Sequence, residues 1–282
     1  MQARGSASER PWMRPRASSM RAWPNPVRAA DVPRLPWMSA EMGAEEVAAL
    51  LRSRRSIRDF LPDPVPGEVI DAVIADALAS PSWSNTQPYL MGVATGEMRD
   101  RISAELCARF DAGMRARASG LIGRLRAWRS RPSSDLPVPM EYPQDLQERR
   151  RQTGYGLYRV LGIDRADRAA RDRQMRRNFE FFSAPAVIFI FVHRGLGHYA
   201  TLDAGIMLHA LMLSAQARGL GTCAQGALAI WSAPVRAAFT VPDHYALLCG
   251  VAIGFPSDHP VNGYDPGRAG AGERVIPARA HD

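Results

Sequence analysis

The sequence of 282 residues contains no lysine, so all 36 of its basic residues are arginines. They exceed the 28 acidic residues and give a formal net charge of +8, which taken alone suggests a nucleic-acid-binding protein. A complete preference for arginine is, however, typical of codon bias in a GC-rich genome. The arginines are spread over the N-terminal segment and residues 99–177, without the interleaved aromatic residues that stack on bases. We therefore expect no nucleic-acid partner.

The usual signatures of side-chain catalysis are also missing. Without lysine there is no phosphate-binding G-x-x-x-x-G-K-[ST] loop, and neither G-x-S-x-G nor H-E-x-x-H occurs. The Gly219-Leu220-Gly221 string follows a predicted helix and lacks the third glycine of a dinucleotide-binding fold. His209 lies in an apolar helix, where a hydrogen-bonded core histidine is commoner than a catalytic base. We expect no catalytic side chain and infer that a cofactor supplies the reactivity.

Cysteines are few, and no long apolar run occurs. Cys107, Cys223 and Cys249 are odd in number, far apart and outside any C-x-x-C pair, which argues against a disulfide framework or a metal site. Cys223 is either a reactive thiol or, as is commoner, a buried structural one. The best apolar run, residues 186–192, is too short to cross a bilayer. The sequence therefore predicts a cytoplasmic protein with no membrane partner.

A compact basic cluster stands out against these absences. Arg54, Arg55 and Arg58 fall within five residues, together with Ser56. Guanidinium groups are permanently charged and forked, so this cluster suits a phosphate monoester. The cluster follows a helix predicted over residues 44–53, and cations are stabilised at a helix C-terminus whatever their function. A purely structural role for Arg54 and Arg55 is therefore the alternative interpretation.

Hydrophobic periodicity predicts the order of the main elements. Helices are expected at residues 44–53, 68–79 and 201–218, and strands at residues 89–95, 186–192 and 246–253. The last of these helices is apolar almost all round, which places it in the middle of a domain or at a dimer interface. Residues 97–177 form a predicted arginine-rich helical insertion around a proline-rich loop at 131–143.

The first 40 residues are rich in arginine, proline and serine and poor in acids. They can be interpreted as an organelle transit peptide, as a disordered extension, or as the result of a wrongly assigned start codon. We prefer the last two interpretations, and the absence of an apolar signal core argues against secretion. The folded domain is expected to comprise residues 41–282.

Four strings in a fixed order carry a resemblance to a known family. They are RRSIRDFLPDPVP at 54–66, PSWSNTQP at 81–88, RNFEFFSAP at 177–185 and GLGTCAQGAL at 219–228. Together they resemble the FMN-dependent nitroreductase family, and in particular its nitrobenzoate reductase branch. This resemblance implies an α+β sandwich with a mostly antiparallel central sheet flanked by helices. It also implies an intertwined homodimer with two active sites at the interface.

By this resemblance, the residues that bind FMN fall into three groups. The phosphate, the ribityl chain and the pyrimidine edge are assigned to Arg54, Arg55, Ser56 and Arg58. The loop that reaches the flavin bound mainly by the other protomer contributes Pro81, Ser82, Asn85 and Gln87. The segment that approaches the flavin N5 through main-chain N–H groups is Ala224, Gln225, Gly226 and Ala227, with Asn178 towards the ribityl or pyrimidine side.

The chain departs from the family pattern near its C-terminus. Family members commonly carry an Asn-Arg-Phe-Arg-like string that helps to bind phosphate, whereas this chain reads Asn262-Gly263-Tyr264-Asp265. Both arginines are missing, and Arg268 is the candidate substitute. An aspartate beside a phosphate is expected to weaken the binding of FMN.

The resemblance implies an FMN-dependent NAD(P)H oxidoreductase whose flavin carries the chemistry. Its small-molecule electron acceptor is expected to be a nitroaromatic compound, a quinone or an activated alkene, reduced in a ping-pong hydride mechanism. Two alternatives stay open at this point. One is dehalogenase or flavin-fragmenting activity on the same fold, and the other is a non-catalytic flavin-binding protein, suggested by Asp265.

Overall fold

A four-stranded sheet forms the centre of the protein in the computed structural model, which describes residues 43–118, 131–138, 141–276 and 278. The strands are β1 (Tyr89–Thr95), β2 (Ala186–His193), β3 (Gly221–Gln225) and β4 (Tyr245–Gly254). Their spatial order is β1-β2-β4-β3, and all three pairings are antiparallel. The predicted extension at residues 1–40 and part of the proline-rich loop, residues 139–140, lie outside the described residues.

Strand β2 contributes side chains to a hydrophobic core on each face of the sheet. Its residues 186–192 are all buried, and the two-residue period of a strand sends alternate side chains to opposite faces. Val187, Phe189 and Phe191 join one hydrophobic cluster, while Ile188 and Ile190 join the other. A central strand covered on both sides therefore reads as a continuous apolar run.

Eight α-helices are described around this sheet. They are α1 (Ala44–Ser53), α2 (Gly67–Leu78), α3 (Gly96–Ala118), α4 (Gln144–Val160), α5 (Arg168–Arg176), α6 (His198–Ala217), α7 (Ser232–Arg236) and α8 (Ala271–Arg274). Helices α2 and α6 pack against each other on one face of the sheet, and α3 packs on the other. The α+β sandwich with an antiparallel sheet is thus confirmed, whereas the predicted domain bounds stay predictions.

Helix α6 buries one side and exposes the other. Met207 and Leu211 have no exposed surface, but Leu202 is 57% exposed and Ile206 is 40% exposed. His209 lies on the exposed side, because residues three and seven positions apart share a helix face. The expectation that His209 is a core histidine is therefore wrong. Among the described helices, none is both long and apolar enough to span a membrane.

Helix α4 packs closely against a short 3-10 turn at Pro260–Gly263 and the residue that follows it. The Tyr264 hydroxyl donates a hydrogen bond of 2.9 Å to the Thr153 carbonyl. A Cβ atom at Gly156 would lie no farther than 3.0 Å from three atoms of the Tyr264 side chain. A Cβ atom at Gly154, two residues earlier in the same helix, would meet nothing within 4 Å. Gly156 therefore permits this contact.

The two glycines form a matched pair for a stability measurement. Gly154→Ala should raise the free energy of unfolding by roughly 0.5–1 kcal/mol, because alanine is the better helix former. Gly156→Ala has the same helical advantage but should lower it by about 1–2 kcal/mol, because the methyl group overlaps Tyr264. Urea unfolding of both variants checks this, and equal stabilisation by the two substitutions would contradict the tight contact.

Candidate functional site

The basic cluster follows α1 in an extended strip that runs alongside the edge strand β3. Ile57 donates its main-chain N–H to the Thr222 carbonyl at 3.0 Å, and Ser56 forms a parallel bridge with Thr222. A Cβ atom at Gly221 would lie 2.6 Å from the Ile57 side chain. The absence of a side chain at Gly221 therefore allows the strip to approach β3.

Asn262 holds the strip from its other side. Its Oδ1 accepts hydrogen bonds from the main-chain N–H groups of Arg58 at 2.8 Å and Asp59 at 3.2 Å. Its Nδ2 donates to the Asp59 carbonyl at 2.8 Å. Asn262 was only a landmark of the family pattern in the sequence, because nothing local reveals a partner about 200 residues away along the chain. The structure gives it the role of fixing the backbone of the basic cluster.

One small pocket brings together five of the predicted site residues. Its walls include Arg54, Arg55, Ser56, Arg58 and Arg268. Tyr264, Asp265 and Pro266 complete the lining. The structure thus places Arg268 where the sequence predicted a substitute for the missing family arginines. Four guanidinium groups around one small cavity have the charge and the donors for a phosphate group.

The crowding of cations affects Arg54 directly. Burial lowers the pKa of the Arg54 guanidinium, and the neighbouring charges of Arg268 and Arg55 lower it further. These neighbours disfavour the charged form because like charges repel, so an anion in the pocket would relieve the repulsion. All four positions carry a positive charge, and Arg58 and Arg268 lie beyond the end of helix α1, which argues against a role limited to that helix end.

The pocket also contains one acidic group. Asp265 Oδ2 lies 3.1 Å from Arg55 Nη2. Asp265 Oδ1 accepts a hydrogen bond of 2.9 Å from the Gly267 N–H, which closes the turn leading to Arg268. The same aspartate therefore contacts one pocket arginine and shapes the turn that carries another.

Cys223 lies under the arginines and is a structural thiol. It is 4% exposed, and burial raises its pKa to about 11 although Arg58 and Arg54 act in the opposite direction. A thiol with this pKa is protonated at neutral pH and is a poor nucleophile. The expectation of a buried structural cysteine is confirmed.

The end of β3 offers main-chain groups to the open edge of the sheet. The Thr222 carbonyl faces the basic strip, and main-chain groups in an antiparallel ladder alternate in direction, so those of Ala224 face the same open edge. Ala224 and Gly226 are exposed, and a Cβ atom at Gly226 would meet nothing within 4 Å. The segment that ends at the half-buried Ala227 can therefore be approached by a flat ring.

Gln225 and Asn178 lie together at this end of β3. Gln225 is 3% exposed, and its Nε2 donates a hydrogen bond of 2.8 Å to the Asn178 carbonyl. Its buried Oε1 has no hydrogen-bond partner among the described residues. The Asn178 side chain donates locally to the Met175 carbonyl at 3.0 Å, so Asn178 contributes its carbonyl here. The unpaired oxygen of Gln225 is a buried acceptor without access from the surface, so it is not a ligand contact in this structure.

The second predicted group, the loop with Pro81, Ser82, Asn85 and Gln87, lies at the first turns of α6. Trp83 donates its main-chain N–H to both carboxylate oxygens of the buried Asp203 at 3.1 Å. Ser82 Oγ accepts from the Gln87 N–H at 2.9 Å. Asn85 and Gln87 have φ angles of 54° and 44°, a left-handed conformation that is unfavourable for residues other than glycine. The loop therefore has a fixed and strained shape.

The two ends of α6 separate this loop from the arginine pocket. The loop contacts the first turns of the helix, where the Trp83 ring lies 4.3 Å from the Tyr199 ring. The end of α1, which leads directly into the basic strip, contacts the last turn, where Gln216 donates to the Ser53 hydroxyl. A helix of 20 residues is about 30 Å long. One chain therefore brings together the first and third residue groups at the pocket and β3, but not the loop.

Asp203 is a site residue that sequence reasoning missed. The signal was present, since an acid inside an otherwise apolar helix needs a buried partner. What the sequence could not reveal is the partner, because the Trp83 N–H lies 120 residues away along the chain.

The arrangement has the charge and the shape that a phosphate-bearing cofactor needs at the edge of an antiparallel sheet. The guanidinium groups and Ser56 fit a phosphate, and the open main-chain edge at Ala224 and Gly226 fits a flat ring beside it. These two features match the two ends of flavin mononucleotide. No group of three or more metal-binding side chains occurs among the described residues.

Comparison with known proteins places this chain in a family. A family model described as the nitroreductase family matches residues 51–255. The 4-nitrobenzoate reductase of Nocardioides sp. (strain LMS-CY) is 33% identical, over 77% of this chain and 83% of its own. Nitroreductase NfnB of Mycolicibacterium smegmatis is 33% identical, over 86% of this chain and 97% of its own. The chain therefore belongs to the nitroreductase family.

A solved structure agrees with this assignment. The crystal structure of the FMN-dependent nitroreductase NfnB from Mycobacterium smegmatis in complex with NADPH is similar, with a TM-score of 0.73 at 32% identity. The similarity covers 84% of this chain and 99% of that chain. The resemblance to nitrobenzoate reductases that the four strings carried agrees with two relatives, both named 4-nitrobenzoate reductase, which are 33% and 31% identical.

Replacement of Asp203 tests how the loop is held. Asp203→Ala should lower the free energy of unfolding by about 1–3 kcal/mol, because it leaves the Trp83 N–H without its acceptor. Asp203→Asn keeps an acceptor oxygen and should cost less. Urea unfolding and the rate of proteolysis within residues 81–88 measure the two effects. The exposed Asp71 on α2 provides the control, and Asp71→Ala should change stability by no more than about 0.5 kcal/mol.

Proposed function

We propose that this protein is an FMN-dependent NAD(P)H oxidoreductase that reduces nitroaromatic compounds, and quinones or related electrophiles, by a ping-pong hydride mechanism. The observation that carries the proposal is the pocket of four arginines beside the open end of β3. It is supported by relatives named for the reduction of 4-nitrobenzoate, chloronitrobenzene and nitrobenzene. A non-catalytic flavin-binding protein is not favoured, because the relatives that cover most of the chain are named as reductases.

The phosphate of FMN is assigned to the arginine pocket. Arg54, Arg55, Arg58 and Arg268 supply charge and forked donors, and Ser56 supplies a hydroxyl. The small size of the pocket suits the terminal phosphate of a mononucleotide. Bound FMN supplies two-electron chemistry, as a hydride accepted from NAD(P)H and passed on to the electron acceptor.

The chain itself orients the ring and stabilises charge. Main-chain N–H groups at the end of β3 are placed to donate to the ring, and the open space at Gly226 allows close approach. Arg58 lines the pocket, and the family resemblance assigns it to the pyrimidine edge, where its positive charge would favour a ring that has gained negative charge on reduction. Cys223 takes no part as a nucleophile, because its pKa of about 11 keeps it protonated.

The proposal includes a homodimer in which each chain completes the site of the other. Helix α6 exposes Tyr199, Leu202 and Ile206, and Trp83 is 55% exposed next to them. An exposed apolar surface of this kind is typical of a protein interface. A two-fold axis near the middle of α6 would reverse the helix, so the loop at 81–88 of one chain would meet the arginine pocket of its partner.

A cytoplasmic location is also part of the proposal. It is supported by Cys107, Cys223 and Cys249, which are all free and buried. Unpaired cysteines are typical of proteins in a reducing compartment.

Removal of one pocket arginine tests the assigned phosphate site. Arg54→Ala should raise the Kd for FMN by about 10- to 100-fold, as expected for a lost charged hydrogen bond, and leave the Kd for riboflavin unchanged. Flavin fluorescence titration measures both constants, and the loss of 4-nitrobenzoate absorbance with NADPH measures activity. The exposed Arg101 on α3 is the control, since Arg101→Ala should change neither the two dissociation constants nor the activity. Wild-type protein that stays colourless with FMN and shows no NAD(P)H-dependent nitro reduction would overturn the proposal.

A charge on the exposed face of α6 tests the dimer. Leu202→Glu should convert the dimer to a monomer, because it buries a carboxylate in an apolar interface. FMN binding should weaken with it, since the partner's loop can no longer reach the pocket. Sedimentation velocity and FMN titration check the two outcomes together. Leu146 on α4 is 42% exposed, and the control variant Leu146→Glu should change neither the oligomeric state nor the affinity for FMN. A Leu202→Glu variant that remains a dimer would contradict the proposed interface.

A further inference from the structure

We propose that Asp265 competes with the phosphate of FMN for Arg55 and so sets how tightly the pocket holds the cofactor. This inference rests on the proposed function and concerns the same site. It assigns Asp265 as a residue that determines the specificity of the pocket for a phosphate.

The Asp265 carboxylate contacts the part of the Arg55 guanidinium that helix α1 does not hold. Arg55 Nη1 donates to the Arg52 carbonyl at 2.8 Å, so one edge of the guanidinium is held by the last turn of α1. Arg55 Nη2 lies 3.1 Å from Asp265 Oδ2, and both residues line the pocket. A phosphate oxygen that binds the side of Nη2 facing Asp265 therefore takes the place of the carboxylate oxygen.

The exchange is feasible because the ion pair is partly solvated. The side chains of Arg55 and Asp265 are 35% and 48% exposed. Pairs with this exposure contribute little to stability, because water screens them and two side chains must be ordered. A phosphate group of charge about −1.5 to −2 attracts Arg55 more strongly than a single carboxylate does.

The charge of the pocket remains positive with Asp265 present. Four arginines and one aspartate give a net charge of 4 − 1 = +3. Burial and the charges of Arg268 and Arg55 already lower the pKa of Arg54, so the cations repel one another. Asp265 relieves part of this repulsion when the phosphate is absent, and it opposes the phosphate when FMN binds. The net effect is a cofactor that is held less tightly than four arginines alone would hold it.

The two carboxylate oxygens have separate tasks. Asp265 Oδ1 accepts from the Gly267 N–H at 2.9 Å and maintains the turn that carries Arg268 into the pocket. Asp265 Oδ2 contacts Arg55. Asparagine keeps an oxygen for the first task and loses the negative charge of the second. Asp265→Asn therefore removes the competitor without removing the turn.

The experiment uses the full-length chain freed of flavin. Asp265→Asn should lower the Kd for FMN by about three- to tenfold, the range expected for a partly exposed ion pair and a removed like charge. The Kd for riboflavin, which has no phosphate, should stay unchanged. Asp71→Asn, the same substitution at an exposed site on α2, is the matched control and should alter neither constant.

Each outcome of this titration has one meaning. An unchanged or higher Kd for FMN in Asp265→Asn overturns the inference, because Asp265 would then position Arg55 instead of competing for it. An equal gain for riboflavin also overturns it, since the effect would not act through the phosphate. Asp265→Ser, a second variant without the charge, should shift the Kd for FMN in the same direction. Failure of wild-type protein to bind FMN would contradict the proposed function itself, whereas normal wild-type binding with no gain in the variants contradicts only this inference.

Discussion

The main-chain contact between the basic strip and the edge strand β3 determines the geometry of the whole candidate site. Ile57 donates to the Thr222 carbonyl, and Gly221 leaves room for the Ile57 side chain. Because the strip runs beside β3, its arginines lie next to the end of that strand, where Gly226 opens the surface. A phosphate pocket and a surface for a flat ring are thus adjacent as a consequence of one pairing between an extended segment and a sheet edge.

Much of the fold could be predicted from the sequence because its signals are local. Helix α1 and strand β1 have the predicted bounds, and strand β2 was recognised by its continuous apolar run. Strand β3 was missed, since five residues with small side chains show no clear period. His209 was placed wrongly because a helix that is apolar all round does not reveal from its sequence which side is exposed.

The sequence indicated residues of the candidate site but not the long-range hydrogen bonds that position them. The basic cluster is a local string, and its members do line one pocket. Asn262 and Asp203 act through partners more than a hundred residues away, so the local sequence cannot identify either partner. The separation of the loop at 81–88 from the pocket also depends on the length of α6, which becomes meaningful only when the contacts at its two ends are known.

The inserted helix α4 links the periphery of the protein to the cofactor pocket. The absence of a side chain at Gly156 lets Tyr264 pack against the helix, and the Tyr264 hydroxyl binds the Thr153 carbonyl. Tyr264 precedes the turn in which Asp265 holds Arg55 and from which Arg268 enters the pocket. The two arginines that the family resemblance leads one to expect in this segment are absent, and the turn that carries Arg268 occupies their place in the chain. Because α4 supports that turn, the predicted arginine-rich insertion contributes to the shape of the candidate site and is more than a solvated surface.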